Sequence, residues 1–269
     1  MEPSFMENIQ DFINVDNLLK SFRTFHDEKP FPHAVIDNFF NKNVAQQLEN
    51  EVPDFNGNAW HKYNNAIEVK KVCNDWNLFP PLTYRAFSIL NSQEMLEILA
   101  NKAKVKPLFS DEGLNGGGWH IHGKGGKLNT HLDYSIHPKL GLQRKLNIII
   151  YLNQNWQEEW GGSLGLWDHD SLTRGPGELK KKITPKFNRA VIFDTTCNSW
   201  HGLPDPLTCP EGEYRKSLAT YYLTTPHENA SKRGKALFAP TPEQANDEEI
   251  LELIKKRASI SEASKVYKK

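Results

Sequence analysis

Cysteine and methionine are scarce, three of each in 269 residues, and Cys73, Cys197 and Cys209 show no close spacing. An odd, dispersed set argues against a disulfide framework and is expected as free, mostly structural thiols in a reducing compartment. Net charge is lacking too, since 33 basic and 33 acidic side chains cancel. No global field therefore draws the chain to nucleic acid or to an anionic membrane. Long apolar runs are missing: none approaches the ~20 residues that cross a bilayer. The start, "MEPSFMENIQDF", lacks the basic-then-apolar order of a secretion signal. A soluble, cytoplasmic protein with no nucleic-acid or membrane partner is expected, and its partners must be chosen by a local site. The oligomeric state is not legible.

What is present divides by texture. Up to about residue 115 the chain reads as mostly helical. "NKNVAQQLENEVP" spaces Val44, Leu48 and Val52 about one turn apart and stops before Pro53. "LTYRAFSIL" and "SQEMLEILANKA" predict further helices, and "PHAVIDNFF" a short strand. From Trp119 to Thr225 short β-type runs alternate with Gly, Pro, Asn and Asp: "GWHIHG", "LNIIIYLN", "SLGLWD", "RAVIFDT", "SLATYYLT". Strands without intervening helices predict a sandwich or barrel. "TPEQANDEEILELIKKR" returns to helix, with Thr241 and Asn246 as caps, acids first and bases last, and Ile250, Leu253 and Ile254 as a packing stripe. The expected organisation is a helical region 1–115, a β core 116–226 and a helical extension 227–269, all in one structural unit.

In a strand, residues i and i+2 share a face, so "THLDY" presents His131 and Asp133 side by side. A third donor follows the apolar strand of "AVIFDTTCNSWHG", at His201. Two histidines and one carboxylate form a facial triad, which leaves positions open and favours non-haem Fe(II), although Mn or Zn could take the same groups. "YRKSLATYYLT" aligns Arg215, Ser217 and Ala219, and "RKLNIIIYLN" aligns Asn147, Ile149 and Tyr151. A guanidinium in such apolar surroundings needs an anion, either an internal carboxylate or a bound one. Donors from Arg215, Ser217 and Tyr151 suit a bound carboxylate. The pair His120 and His122 could instead indicate a zinc hydrolase, but that leaves the arginine cluster without a purpose. The basic run Lys180 to Lys182, with Lys186 and Arg189, reads as a solvated hairpin, because Phe187 is its only stacking aromatic. Trp200, Tyr134 and His137 flank the ligands as possible cleft residues.

In this order, "GGKLNTHLD", "RKLNIIIYLNQNWQEEWGGSLGLWD", "AVIFDTTCNSWHG" and "YRKSLATYYLT" resemble the core of 2-oxoglutarate/Fe(II)-dependent dioxygenases of the prolyl-4-hydroxylase-like branch, over roughly residues 119–225. The resemblance implies a mainly β core with flanking helices (α+β), a double-stranded β-helix or cupin-like jelly roll. It implies His131, Asp133 and His201 as catalytic iron ligands, and Arg215, Ser217 and Tyr151 around the distal carboxylate of 2-oxoglutarate. Asn147 and His122 are expected beside the cosubstrate. His122 and Leu128 stand where that family often carries tyrosines, and "GLPDPLTCPEGEY" after His201 is longer than in many relatives. Gly161 and Gly162 match its "GG-x-L" signature, where tight turning is the expected use.

The implied activity is hydroxylation of a C–H bond of a peptidyl residue or a small molecule. It would use Fe(II), 2-oxoglutarate and O2, with succinate and CO2 as coproducts and ascorbate as a stimulant. The competing readings are a jelly-roll binding module without catalysis, or a different metal-dependent enzyme on the same fold. A binding module would need neither the three ligands nor Arg215.

Overall fold

The computed structural model describes residues 8–266. Its strands are β1 (His33–Ile36), β2 (His61–Asn64), β3 (Glu68–Cys73), β4 (Phe109–Ser110), β5 (Gly118–His122), β6 (Lys127–Leu128), β7 (His131–Leu132), β8 (Gln143–Tyr151), β9 (Leu164–Asp170), β10 (Gly175–Ile183), β11 (Arg189–Asp194), β12 (His201–Gly202), β13 (Arg215–Thr224) and β14 (Leu237–Phe238). The helices are α1 (Ile9–Phe12), α2 (Val15–Ser21), α3 (Lys42–Asn50), α4 (Pro81–Leu90), α5 (Gln93–Lys102), α6 (Glu248–Ala258) and α7 (Ala263–Val266). A large sheet runs β1-β11-β8-β13-β5-β3-β2, and a smaller one runs β10-β9-β12-β7-β14. This is the double-stranded β-helix with flanking helices that the sequence led us to expect.

Strand parity sorts the core. Leu146, Ile148 and Ile150 of β8, with Ala190 and Ile192 of β11 and Leu218 of β13, pack against side chains of α1 to α5. The intervening residues face the smaller sheet, where Tyr151, Val191 and Phe193 meet Leu164 and Leu166. Both faces of β8 are therefore covered, which accounts for its run of three isoleucines. The smaller sheet, with one face on the site, offers only two-residue strands at β7 and β12.

One buried polar residue locks β8 to the amino-terminal layer. Asn188 has φ +58°, a left-handed conformation that asparagine tolerates. Its amide donates to the Phe40 carbonyl at 2.7 Å and accepts from the Phe40 N–H at 2.8 Å, while its own N–H bonds the Tyr151 carbonyl. Asn188→Ala is expected to cost about 2–5 kcal/mol, since two buried backbone groups lose their partners. Urea denaturation would measure it, and a loss below about 0.5 kcal/mol, the low end for one hydrogen bond, would contradict the assignment.

The stretch to residue 115 carries α1 to α5, the helices expected there, together with one element the sequence did not announce: the hairpin β2–β3 adds two strands to the large sheet through β3 and β5. At the other end, Thr241 caps a short 3-10 turn through a box with Gln244, and Asp247 rather than Asn246 caps α6. The stripe of α6 is packing surface as expected, with Ile250, Leu253 and Ile254 set against Ile67, Leu128 and Phe238. All three cysteines are free, Cys73 and Cys209 buried and Cys197 exposed. Among the described residues no helix is long and apolar enough to cross a membrane.

Candidate active site

Neighbouring strands bring the two histidines together. His131 opens β7 and His201 opens β12, and they face each other as a cross-strand pair, with ring centroids 4.3 Å apart. Asp133 follows on the same face. Its carboxylate oxygens lie 3.8 Å from His131 Nε2 and 3.8 Å from His201 Nε2. One donor atom from each of the three lies within 4.8 Å of the others, and all three are buried. Each ring uses Nδ1 on the carbonyl two residues earlier, Asn129 at 2.9 Å and Ser199 at 2.8 Å. That bond places the proton on Nδ1 and turns the Nε2 lone pair toward the carboxylate, as metal-ligating histidines require. Among the described residues this is the one such group, so His120 and His122 do not build a second metal site. The trio fits a divalent cation such as Fe(II).

A residue the sequence reading passed over holds the carboxylate. Arg144 is buried, its NH1 3.1 Å from Asp133 Oδ1 and its NH2 donating to the Asn115 carbonyl at 2.9 Å. Its guanidinium lies 3.4 Å from the Tyr134 ring centre and 3.3 Å from that of Tyr221, clamped between two aromatic faces. Asn147 Nδ2 donates to the other Asp133 oxygen at 3.2 Å. Asn147 thus faces the site as strand parity predicts, but it touches the Asp133 carboxylate rather than the Arg215 cluster.

The second half of the site surrounds Arg215. This residue is buried, and its Nε donates to the Gly162 carbonyl at 2.7 Å. Its guanidinium lies 4.8 Å from the Tyr151 ring centre. Among the described residues no carboxylate pairs with it, and burial alone pushes its pKa down, opposed only by Tyr151. The internal ion pair that the sequence left open is therefore absent there. Gly162 has φ +77°, and a Cβ there would come within 2.8 Å of Arg215 Cδ, so this glycine lets the arginine stem pass. His122 is the cross-strand neighbour of Arg215, and neither ring nitrogen has a hydrogen-bond partner; the Tyr151 hydroxyl has no partner besides the Arg215 guanidinium beside it. Arg215, Ser217 and His122 line the same cavity as His131, Asp133 and His201.

The remaining candidates divide. Tyr134 and His120 reach the cavity. Trp200 does not line it, being packed on Leu132 and Ala239 with its indole N–H on His169. His137 does not line it either and lies 3.6 Å from Asp111. The basic run lies on β10, where Lys180, Lys181 and Lys182 pair with Asp168, Glu28 and Asp205.

Burial, and next the neighbouring His201 ring, push His131 down to about 3. Burial also lowers His201 and His122. Burial opposes ionisation of Asp133, yet Arg144, then His201 and His131, outweigh it and hold its carboxyl well below the usual range. All three donors are thus ready for a metal at neutral pH. Below about pH 6.5 the unfolded chain takes up protons on these histidines and the folded chain does not. Their contribution to stability is complete above that pH and is lost as the pH falls toward the folded value. Acidifying the metal-free protein from about pH 6.5 to about pH 5 should remove about 2 kcal/mol through His131 alone. Urea midpoints at the two pH values would check this, and equal midpoints would contradict it.

The family model described as the 2OG-Fe(II) oxygenase superfamily matches residues 117–224. Among curated proteins, prolyl 3-hydroxylase OGFOD1 of Xenopus laevis is 25% identical over 197 residues, 73% of this chain and 35% of that protein. The Mus musculus protein of the same name is 29% identical over 79 residues, 29% of this chain and 14% of its own. The chain spans about a third or less of the length of these relatives. Among solved structures, a Pseudomonas putida prolyl-4-hydroxylase superposes with a TM-score of 0.57 at 13% identity, covering 78% of this chain and 100% of that one. A Trichoplax adhaerens prolyl hydroxylase, solved with a hypoxia inducible factor peptide fragment, gives 0.54 at 15% identity, over 77% and 89%. At such identities the structural likeness is one of fold.

Proposed function

We propose that the chain is a member of the 2-oxoglutarate/Fe(II)-dependent dioxygenase superfamily, in its prolyl-4-hydroxylase-like branch, and that it hydroxylates a C–H bond at the expense of 2-oxoglutarate. The observation that carries this reading is a buried, carboxylate-free Arg215 opening on the same cavity as His131, Asp133 and His201. When bound, Fe(II) with 2-oxoglutarate and O2 supplies the oxidation that yields succinate, CO2 and a hydroxylated carbon.

The protein's part is to hold and to exclude. His131, Asp133 and His201 would hold the metal, a donor set that suits Fe(II). Arg215, kept in place by the Gly162 carbonyl, receives the distal carboxylate of the cosubstrate, with Tyr151 and Ser217 as further donors. His122, neutral in its buried setting, offers one donor and one acceptor beside it. Arg144 and Asn147 keep Asp133 ionised and oriented, and Ile149 and Leu164 keep that wall of the cavity dry.

A peptidyl residue is the substrate class we favour, because the relatives named above are prolyl hydroxylases. The free thiols suit the cytoplasm. Residues 116–226 form the catalytic core of this proposal, with 1–115 and 227–269 as parts of the same unit. The test is succinate formation by purified protein given Fe(II), ascorbate and 2-oxoglutarate, where slow uncoupled turnover is expected. Metal-loaded protein that neither binds nor consumes 2-oxoglutarate would overturn the proposal.

A further inference from the structure

The family match stops at residue 224, but the cavity wall does not, since Gly234, Lys235, Ala236 and Phe238 also line it. β14 pairs with β7, setting Phe238 opposite His131 with its ring stacked at 4.9 Å. Just upstream, Arg233 reaches the third ligand. Its Nε and NH2 donate to the Asp133 carbonyl at 3.1 and 2.8 Å. Its own carbonyl accepts the N–H groups of Ser135 at 2.7 Å and Ile136 at 3.1 Å. One residue outside the matched core therefore makes four hydrogen bonds to residues 133–136.

We propose that Arg233 is a positioning residue for the metal site, and that the segment from Gly234 to Phe238 is a working wall of the active site. The inference rests on the reading of His131, Asp133 and His201 as metal ligands. Asp133 lies past the end of β7, where no strand partner fixes its carbonyl. The orientation of that peptide sets where the carboxylate points. Arg144 and Asn147 hold the carboxylate end of Asp133. The Arg233 guanidinium fastens the backbone end of the same residue, so the side chain is fixed at both ends. Groups that only orient a metal ligand typically account for 10–100-fold in metal affinity.

The test is a Co(II) titration followed by visible absorption on the full chain, comparing wild type, Arg233→Ala and Arg233→Lys, with metal-free thermal midpoints recorded alongside. Arg233→Ala should bind Co(II) about 10–100-fold more weakly and with an altered spectrum. Arg233→Lys, whose amine can still donate to the carbonyl, should recover part of the loss. Should the alanine variant fail to fold, the lysine variant decides, by a weakened affinity and a shifted spectrum or by neither. Wild-type protein that binds no Co(II) would overturn the metal-site reading itself. Wild-type binding with variants matched within twofold, or a lowered melting midpoint with unchanged affinity and spectrum, would overturn the role of Arg233 and leave that reading intact.

Discussion

Replacing His131 by alanine should reduce 2-oxoglutarate turnover by at least about 100-fold, because groups that merely orient a ligand already account for 10–100-fold. The variant should still fold. The apolar faces of β8, β11 and β13 supply most of the burial, and the metal-free chain already seats both rings through their Nδ1 bonds. Asp133→Ala should abolish turnover equally but behave differently in folding. Its loss leaves Arg144 buried between two tyrosines without its carboxylate, and stranding one partner of a buried pair costs about 3–5 kcal/mol. Succinate assays and urea denaturation on both variants separate the two effects. Wild-type turnover in His131→Ala would remove the metal from this trio.

The second large effect concerns the cosubstrate. Arg215→Ala should raise the apparent KM for 2-oxoglutarate about 10- to 150-fold, as follows from losing a buried charge-assisted contact of about 1.5–3 kcal/mol. The change should be selective. 2-Oxobutyrate has the same oxoacid head and no distal carboxylate, so wild-type protein should use it far less well, while Arg215→Ala should scarcely distinguish the two. Such a pattern assigns the lost energy to the far carboxylate rather than to a general disturbance of the pocket. An unchanged KM would move the carboxylate site elsewhere.

The side-by-side placement of His131 with Asp133, and of Arg215 with its neighbours, was legible because strand parity is a strict local rule. His131 and Asp133 are two apart, as are Arg215, Ser217 and Ala219, and the last three share a face in the fold. Arg144 was lost to the same rule. It lies three residues before Asn147, so simple alternation sends it to the opposite face. The pairing of β8 with β13 contains a register shift, in which Leu146 faces Tyr222 and Arg144 faces Leu223. One residue of β8 is bulged there, and the bulge turns Arg144 back into the cavity. Nothing in the composition of "QRKLN" announces that.

The hairpin β2–β3 escaped for a related reason. "EVKKVC" spaces its valines three apart and carries two lysines, a pattern closer to a helix than to a strand. Its place in the sheet comes from pairing with β5, almost fifty residues later. Arg233 and Phe238 belong to a segment whose structure is non-local, a two-residue strand on β7 and hydrogen bonds to residues 129–136. Short pairings of that kind leave no periodicity to read. The adjacent caps Asn246 and Asp247 are chemically near-equivalent by sequence, and only the bond from Ile250 N–H to Asp247 separates them.

The most direct measurement is a crystal structure of the full chain with Mn(II) and 2-oxoglutarate, with the metal located by its anomalous signal. A single metal peak is expected, bonded to His131 Nε2, Asp133 and His201 Nε2, with the oxoacid head on that metal and the far carboxylate on Arg215. A metal peak elsewhere, or 2-oxoglutarate bound without contact to Arg215, would contradict it.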